Sequence, residues 1–168
     1  GPKLLPNRLG HEQSASVQDI LIETLNLPNQ IWPYIIPANS TLIGLSMEES
    51  GVWYKFNLHI LGLTLDNKLE YAPWRESHFQ ANQEVALLGS EKAVKSFASY
   101  YGLVFQDRDS RFNILNDSER AGFAEVIIPP RSELVGQTIR QYSFRKRLTV
   151  EPVILFSKGE QLSGDFSD

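Results

Sequence analysis

The chain has 168 residues, 42% of them hydrophobic and 21% charged, with a formal net charge of −4, which suits one ordinary core or two small ones. It contains no cysteine, which excludes disulfide scaffolds, thiol catalysis and cysteine-ligated metals and is compatible with a reducing compartment. The acidic balance disfavours a dedicated nucleic-acid binder, which needs an excess of Lys and Arg to neutralise phosphates, and the longest apolar runs fall far short of the roughly 20 residues of a membrane helix.

Residues 1–16, with Pro2, Pro6 and Gly10, read as an irregular arm. Residues 17–27 follow Ser16, a candidate N-cap, with apolar side chains at 17, 20, 21, 25 and 27, and predict a short amphipathic helix ended by Pro28. Residues 32–36 are β-branched and aromatic and stop at Pro37, which predicts a strand at a domain edge. Ser46 and Glu49 have capping-box spacing and predict a short helix over 46–54. Strand character resumes at Phe56 and runs to Leu65; Asp66-Asn67-Lys68 is a turn, and residues 69–71 return as a hairpin. Residues 85–88 are a further apolar strand. Ala93, Val94, Phe97, Ala98 and Tyr101 then make one face of a helix over 91–101, stopped by Gly102.

Residues 104–120 are polar and read as a connection, with some strand at 112–115. Beyond it the chain repeats itself. Ile35, Ile36, Pro37, Ser40, Leu42, Gly44 and Leu63 match Ile127, Ile128, Pro129, Ser132, Leu134, Gly136 and Leu155 at a constant offset of 92, without a gap. The second copy predicts a strand over 124–128, a short helix over 138–146, a strand over 148–156 and a turn at Lys158-Gly159-Glu160. It stops before counterparts of the last strand and helix of the first copy, which leaves an open edge and predicts self-association.

The pattern Ile-Ile-Pro, a variable pair around Ser, Leu, a branched residue and Gly, followed by a short helix and an apolar strand, resembles the C-terminal domain of potassium-conductance regulators, the RCK-C or TrkA-C domain. The resemblance implies an α+β fold of two RCK-C (TrkA-C)-like β-α-β-β-β-α modules in tandem, the second truncated. The chain then divides into an N-terminal arm (1–31), a first module (32–103), a connecting segment (104–121) and an incomplete second module (122–168). Asn82-Gln83-Glu84 stands where the family usually has Gly-Asp before its last strand, and Leu45-Ser46 departs from the family pattern more than Gln137-Thr138 does. No Gly-x-Gly-x-x-Gly follows a strand, so no NAD and no other cofactor is expected.

Tandem copies of this kind, with Lys3-Leu4-Leu5-Pro6-Asn7-Arg8 ahead of them, are similar to the cytoplasmic insert of bacterial divalent-anion/sodium symporters. The implied role is a non-catalytic, oligomerising and ligand-sensing region at the cytoplasmic face of the cell membrane. Its implied partners are a second copy, the parent transporter's membrane domain and a small anionic or nucleotide ligand, with no nucleic acid. The alternative is a soluble regulatory subunit of a potassium channel or cation transporter.

Few residues suggest chemistry. His11, His59 and His78 lack metal-ligand spacing and read as structural or surface groups. Ser40 and Ser132 follow Pro-terminated strands and read as turn caps rather than nucleophiles. Gly44 and Gly136 read as positions needing an unusual backbone angle or close packing. The basic residues Arg131, Arg140, Arg145 and Arg147, with Lys146, are the one cluster suited to a phosphate-bearing ligand or an anionic membrane surface. The competing reading is a solvated helix face paired with acidic groups such as Glu133.

Overall fold

Alternation along the strands places apolar side chains on both sides of one antiparallel sheet. The computed structural model describes residues 9–117 and 119–162, with side chains from Val17 onward; the segment from Lys3 to Arg8 and the residues after Leu162 lie outside them. The strands are β1 (Ile31–Ile35), β2 (His59–Leu65), β3 (Lys68–Tyr71), β4 (Glu84–Leu88) and β5 (Val104–Phe105), in the order β3-β2-β4-β1-β5. Helix α1 (Leu9–Leu25) precedes the sheet and α2 (Glu91–Tyr101) follows β4. Helix α2 is N-capped by Ser90 and ends at Gly102 in the left-handed region. A 3-10 turn (Arg111–Asn116), α3 (Ile139–Tyr142), α4 (Phe144–Leu148) and the hairpin β6 (Leu155–Ser157) to β7 (Glu160–Leu162) complete the chain.

Strand β4 is buried along its whole length. Val85 and Leu87 face the main core with Ile36, Leu42, Met47, Leu58, Ile60, Phe79 and the α2 residues Val94 and Phe97. Ala86 and Leu88 face the other way, into a second cluster with Ile31 and Phe112, against which Leu61, Leu69, Phe123 and Val153 pack. A sheet covered on both faces loses the apolar-polar alternation of a half-exposed one. Gly62 sits at a bulge in β2. A Cβ there would lie 2.2 Å from Phe112 Cε1, so the close approach of the ring requires glycine.

Several expectations change in detail. Helix α1 starts at Leu9 instead of 17, because good helix formers such as Glu12, Gln13 and Ala15 extend it without an apolar stripe. Strand β1 lies inside the sheet, flanked by β4 and β5, instead of at its edge. The capping box at Ser46 and Glu49 forms, with Ser46 N donating to Glu49 Oε2 at 2.8 Å and Glu49 N to Ser46 Oγ at 3.1 Å. The segment nevertheless stays a run of turns: Gly51 takes φ +70°, and the Met47 and Glu48 N–H groups donate to the Ser77 and Arg75 carbonyls. Strand β2 begins at His59 because Asn57 is left-handed. Residues 112–115 form the 3-10 turn capped by Ser110 instead of a strand.

In the second copy, residues 124–128 form no strand; Val126 and Ile127 are 78% and 83% exposed. Their counterparts in β1 pair with β4, whereas among the described residues no strand pairs with 124–128. The predicted helix over 138–146 is two short helices parted by left-handed Ser143. The strand over 148–156 shrinks to β6, because Leu148 ends α4 and Thr149 is left-handed.

Those breaks follow a rule. Positive φ occurs at Gly44, Gly51, Asn57, Asp66 and Asn67, and again 92 residues later at Gly136, Ser143, Thr149, Lys158 and Gly159. The hydrogen bonds recur too. Ser40 N donates to Pro37 O at 2.9 Å and Ser132 N to Pro129 O at 3.0 Å. Leu42 N donates to Ser40 Oγ at 3.2 Å and Leu134 N to Ser132 Oγ at 3.1 Å. The Ser46/Glu49 box reappears as Thr138/Gln141. Nothing lies within 4 Å of a Cβ placed at Gly44 or Gly136, whose φ values are +86° and +82°, so both glycines answer a backbone requirement rather than crowding.

Candidate functional site

The charged residues that come together do so where the second copy meets the first. Helix α3 carries Arg140 and α4 carries Arg145, Lys146 and Arg147. Left-handed Ser143 and Thr149 bracket α4, and Thr149 N donates to Arg145 O at 3.0 Å. A β-branched residue at positive φ is strained by about 1–3 kcal/mol, but the turn it makes brings Glu151 back beneath Arg145.

There Arg145 is 2% exposed. Its Nε donates to Glu151 Oε2 at 2.6 Å and its Nη2 to Glu151 Oε1 at 2.9 Å. His59 Nδ1 lies 2.9 Å from the same Oε1, and the guanidinium stacks 4.7 Å from the centre of the Trp53 ring. Burial pushes the Glu151 carboxyl up, but the hydrogen bonds from His59 and Arg145 outweigh it and hold the pKa below the ordinary carboxylate value. The bidentate contact is the geometry in which a guanidinium satisfies a buried carboxylate best.

The basic residues singled out in the sequence have separate surroundings. Arg140 reaches Glu48, Nη2 to Oε1, at 2.8 Å, and Arg75 holds the other oxygen of Glu48 at 3.2 Å. Arg147 stacks 5.0 Å over Tyr142. Arg131 is exposed on the turn after Pro130. Glu133, the acidic partner weighed for this face, uses its backbone carbonyl, which accepts from Gln137 Nε2 at 2.8 Å. Lys146 sits 4.6 Å over the Trp74 ring at the rim of a cleft of about 500 Å³ that Tyr71, Ser77, Arg145 and Thr149 also line.

Sequence reasoning set His59 aside as structural or surface and passed over Glu151. The signal was present in the register, since 151 is 59 displaced by the repeat offset. Among the described residues, no group of three or more His, Asp or Glu side chains is placed to hold a metal ion, and no helix is long and apolar enough to cross a membrane.

No family model matches the sequence, and no curated protein does either. Among solved structures, the chain is similar to the RCK_C domain dimer of S. agalactiae BusR in complex with c-di-AMP, with 20% identity over 45% of this chain and 93% of that one, TM-score 0.42. It is similar to the RCK C domain of the potassium transport protein KtrA in complex with c-di-AMP, with 16% identity over 51% of this chain and 96% of that one, TM-score 0.40. BusR bound to its busAB-promotor DNA matches at 18% identity over 56% of this chain, TM-score 0.42; the chain spans 49% of that protein.

Proposed function

We propose that the chain is a non-catalytic regulatory region of a membrane ion or anion transporter, cytoplasmic and built from two RCK-C (TrkA-C)-like modules in tandem. In this reading residues 32–103 are the first module and 122–168 belong to the second, with 1–31 an arm and 104–121 the connection. The observation that carries it is the recurrence, at an offset of 92, of the same left-handed positions and capping bonds in the segments bearing the Pro-Ser-Leu-Gly pattern. The divalent-anion/sodium symporters are the parent class that the whole pattern resembles. Fold by itself does not assign an activity, so the test has to read transport.

Such a region acts by favouring one arrangement of its modules when ligand is bound, which biases the attached membrane helices. The coupling is typically about 1–3 kcal/mol, a several-fold to hundredfold change in transport. Deleting residues 9–162 from the parent reading frame should leave solute uptake intact while removing its dependence on an ion or nucleotide. Uptake unchanged under every ionic and nucleotide condition would overturn the proposal. Of the basic residues Arg131, Arg140, Arg145 and Arg147, the exposed Arg131 and Arg147 are the proposed ligand side of the second module, because Arg140 and Arg145 are engaged by Glu48 and Glu151.

Self-association belongs to the same reading. Residues 124–128 expose Val126, Ile127 and Ile128, with no strand paired to them among the described residues, an arrangement that recruits a strand from elsewhere. Sedimentation at micromolar concentration should show dimers or larger species, and Val126→Lys should shift them toward monomer. A strictly monomeric mass would refute this route.

A further inference from the structure

Equivalent positions of the two copies meet each other. Glu48 pairs with Arg140 at 2.8 Å, Trp53 stacks on Arg145 at 4.7 Å, and His59 bonds Glu151 at 2.9 Å; each partner lies 92 residues after the first. Ile31 with Phe123, and Leu61 with Val153, likewise share the second apolar cluster. When two copies of one surface pack about a two-fold axis, residues near the axis touch their own counterparts, whereas a head-to-tail contact joins unlike positions. Matching positions in contact, from exposed Glu48 to the apolar cluster, mark a local two-fold axis within a single chain.

We infer that the second copy occupies in cis the face through which an unduplicated module would pair with its own twin, so that this chain carries an internal pseudo-dimer. The substitutions between the copies fit that role. A pairing of the first copy with itself about this axis would bring Glu48 against Glu48 and His59 against His59. The second copy supplies arginine at 140, an opposite charge to Glu48, and glutamate at 151, a hydrogen-bonding partner to His59 in place of a second imidazole. Charges placed this way favour the internal partner and disfavour pairing between chains through the same face. The inference rests on the tandem-module reading. It makes the surface of Glu48, Trp53 and His59 an intramolecular joint, and leaves any association between chains to other surfaces such as the open edge at 124–128.

Because the chain has no cysteine, the joint can be tested in the whole protein with a short bismaleimide. Glu48 and Arg140 have 40% and 51% exposed side chains, so replacing them should not unfold the protein. The double variant Glu48→Cys with Arg140→Cys should give a monomer-mass product whose peptide map joins 48 to 140. The single variant Glu48→Cys should give mono-adduct only. A covalent dimer joined 48 to 48 in the single variant would overturn the inference. So would absence of the internal link in a folded double variant whose thiols both react with a monofunctional maleimide. Neither readout depends on transport, so loss of the regulatory proposal and loss of the pseudo-dimer are separately visible.

Discussion

Glu151→Ala is expected to destabilise the protein by about 3–5 kcal/mol, because it removes the buried carboxylate that Arg145 and His59 both engage and breaks a buried ion pair from one side. Arg145 is 2% exposed and no longer has the carboxylate that engages both its Nε and Nη2. For a domain of this size that is a fall of roughly 10 °C in Tm, measurable by thermal or urea unfolding. Replacing both partners, Arg145→Met with Glu151→Leu, should recover most of the loss, since swapping a whole buried ion pair for apolar groups is often neutral or better. Acid should mimic the single variant. The folded-state pKa of Glu151 lies below its ordinary value, so its contribution is complete above the unfolded pKa and disappears as pH falls through the lower, folded one. An unchanged stability for Glu151→Ala, or an acid limb identical to that of the unsubstituted protein, would remove the buried cluster as the fastening between the copies.

Much of the sheet and its covering helix could be read directly. Strands β1 to β4 and helix α2 carry their signals locally, as β-branched and aromatic runs, a turn at Asp66-Asn67 and a capped apolar helix face, whereas β5, read as part of the connection, forms because Val104 and Phe105 pair with Ile35 and Tyr34 of β1. What failed locally was decided elsewhere. Ile127 and Ile128 have the strand propensity of Ile35 and Ile36, but a strand exists only with a partner, and β4 serves only the first copy. The helix expected over 46–54 lost its donors to the 75–77 loop, a contact invisible in a linear pattern. The repeat offset was legible, yet it announces two similar units without saying how they touch. Arg145 therefore read as one cation of an exposed basic cluster, ligand-facing or solvated, although Trp53 and Glu151 hold it buried.

Phe112→Ala should cost about 3–5 kcal/mol, the range for emptying a fully buried aromatic site. The ring is 0% exposed and belongs to the cluster of Ile31, Ala86 and Leu88, against which Leu61, Phe123 and Val153 also pack. Its removal therefore weakens one side of the sheet and the contact between the copies together. The ring lies over Gly62, where an added Cβ would meet it at 2.2 Å, so Gly62→Ala alone is an overpacking change of about 1–3 kcal/mol. In the Phe112→Ala background the methyl group enters the vacated space, and the two costs should fall well short of adding, as expected for substituted residues in contact. Urea unfolding of both single variants and the double variant measures that coupling. Simple additivity would mean that the 3-10 turn does not hold Phe112 against β2, and would detach the segment joining the copies from the sheet face on which the second copy packs.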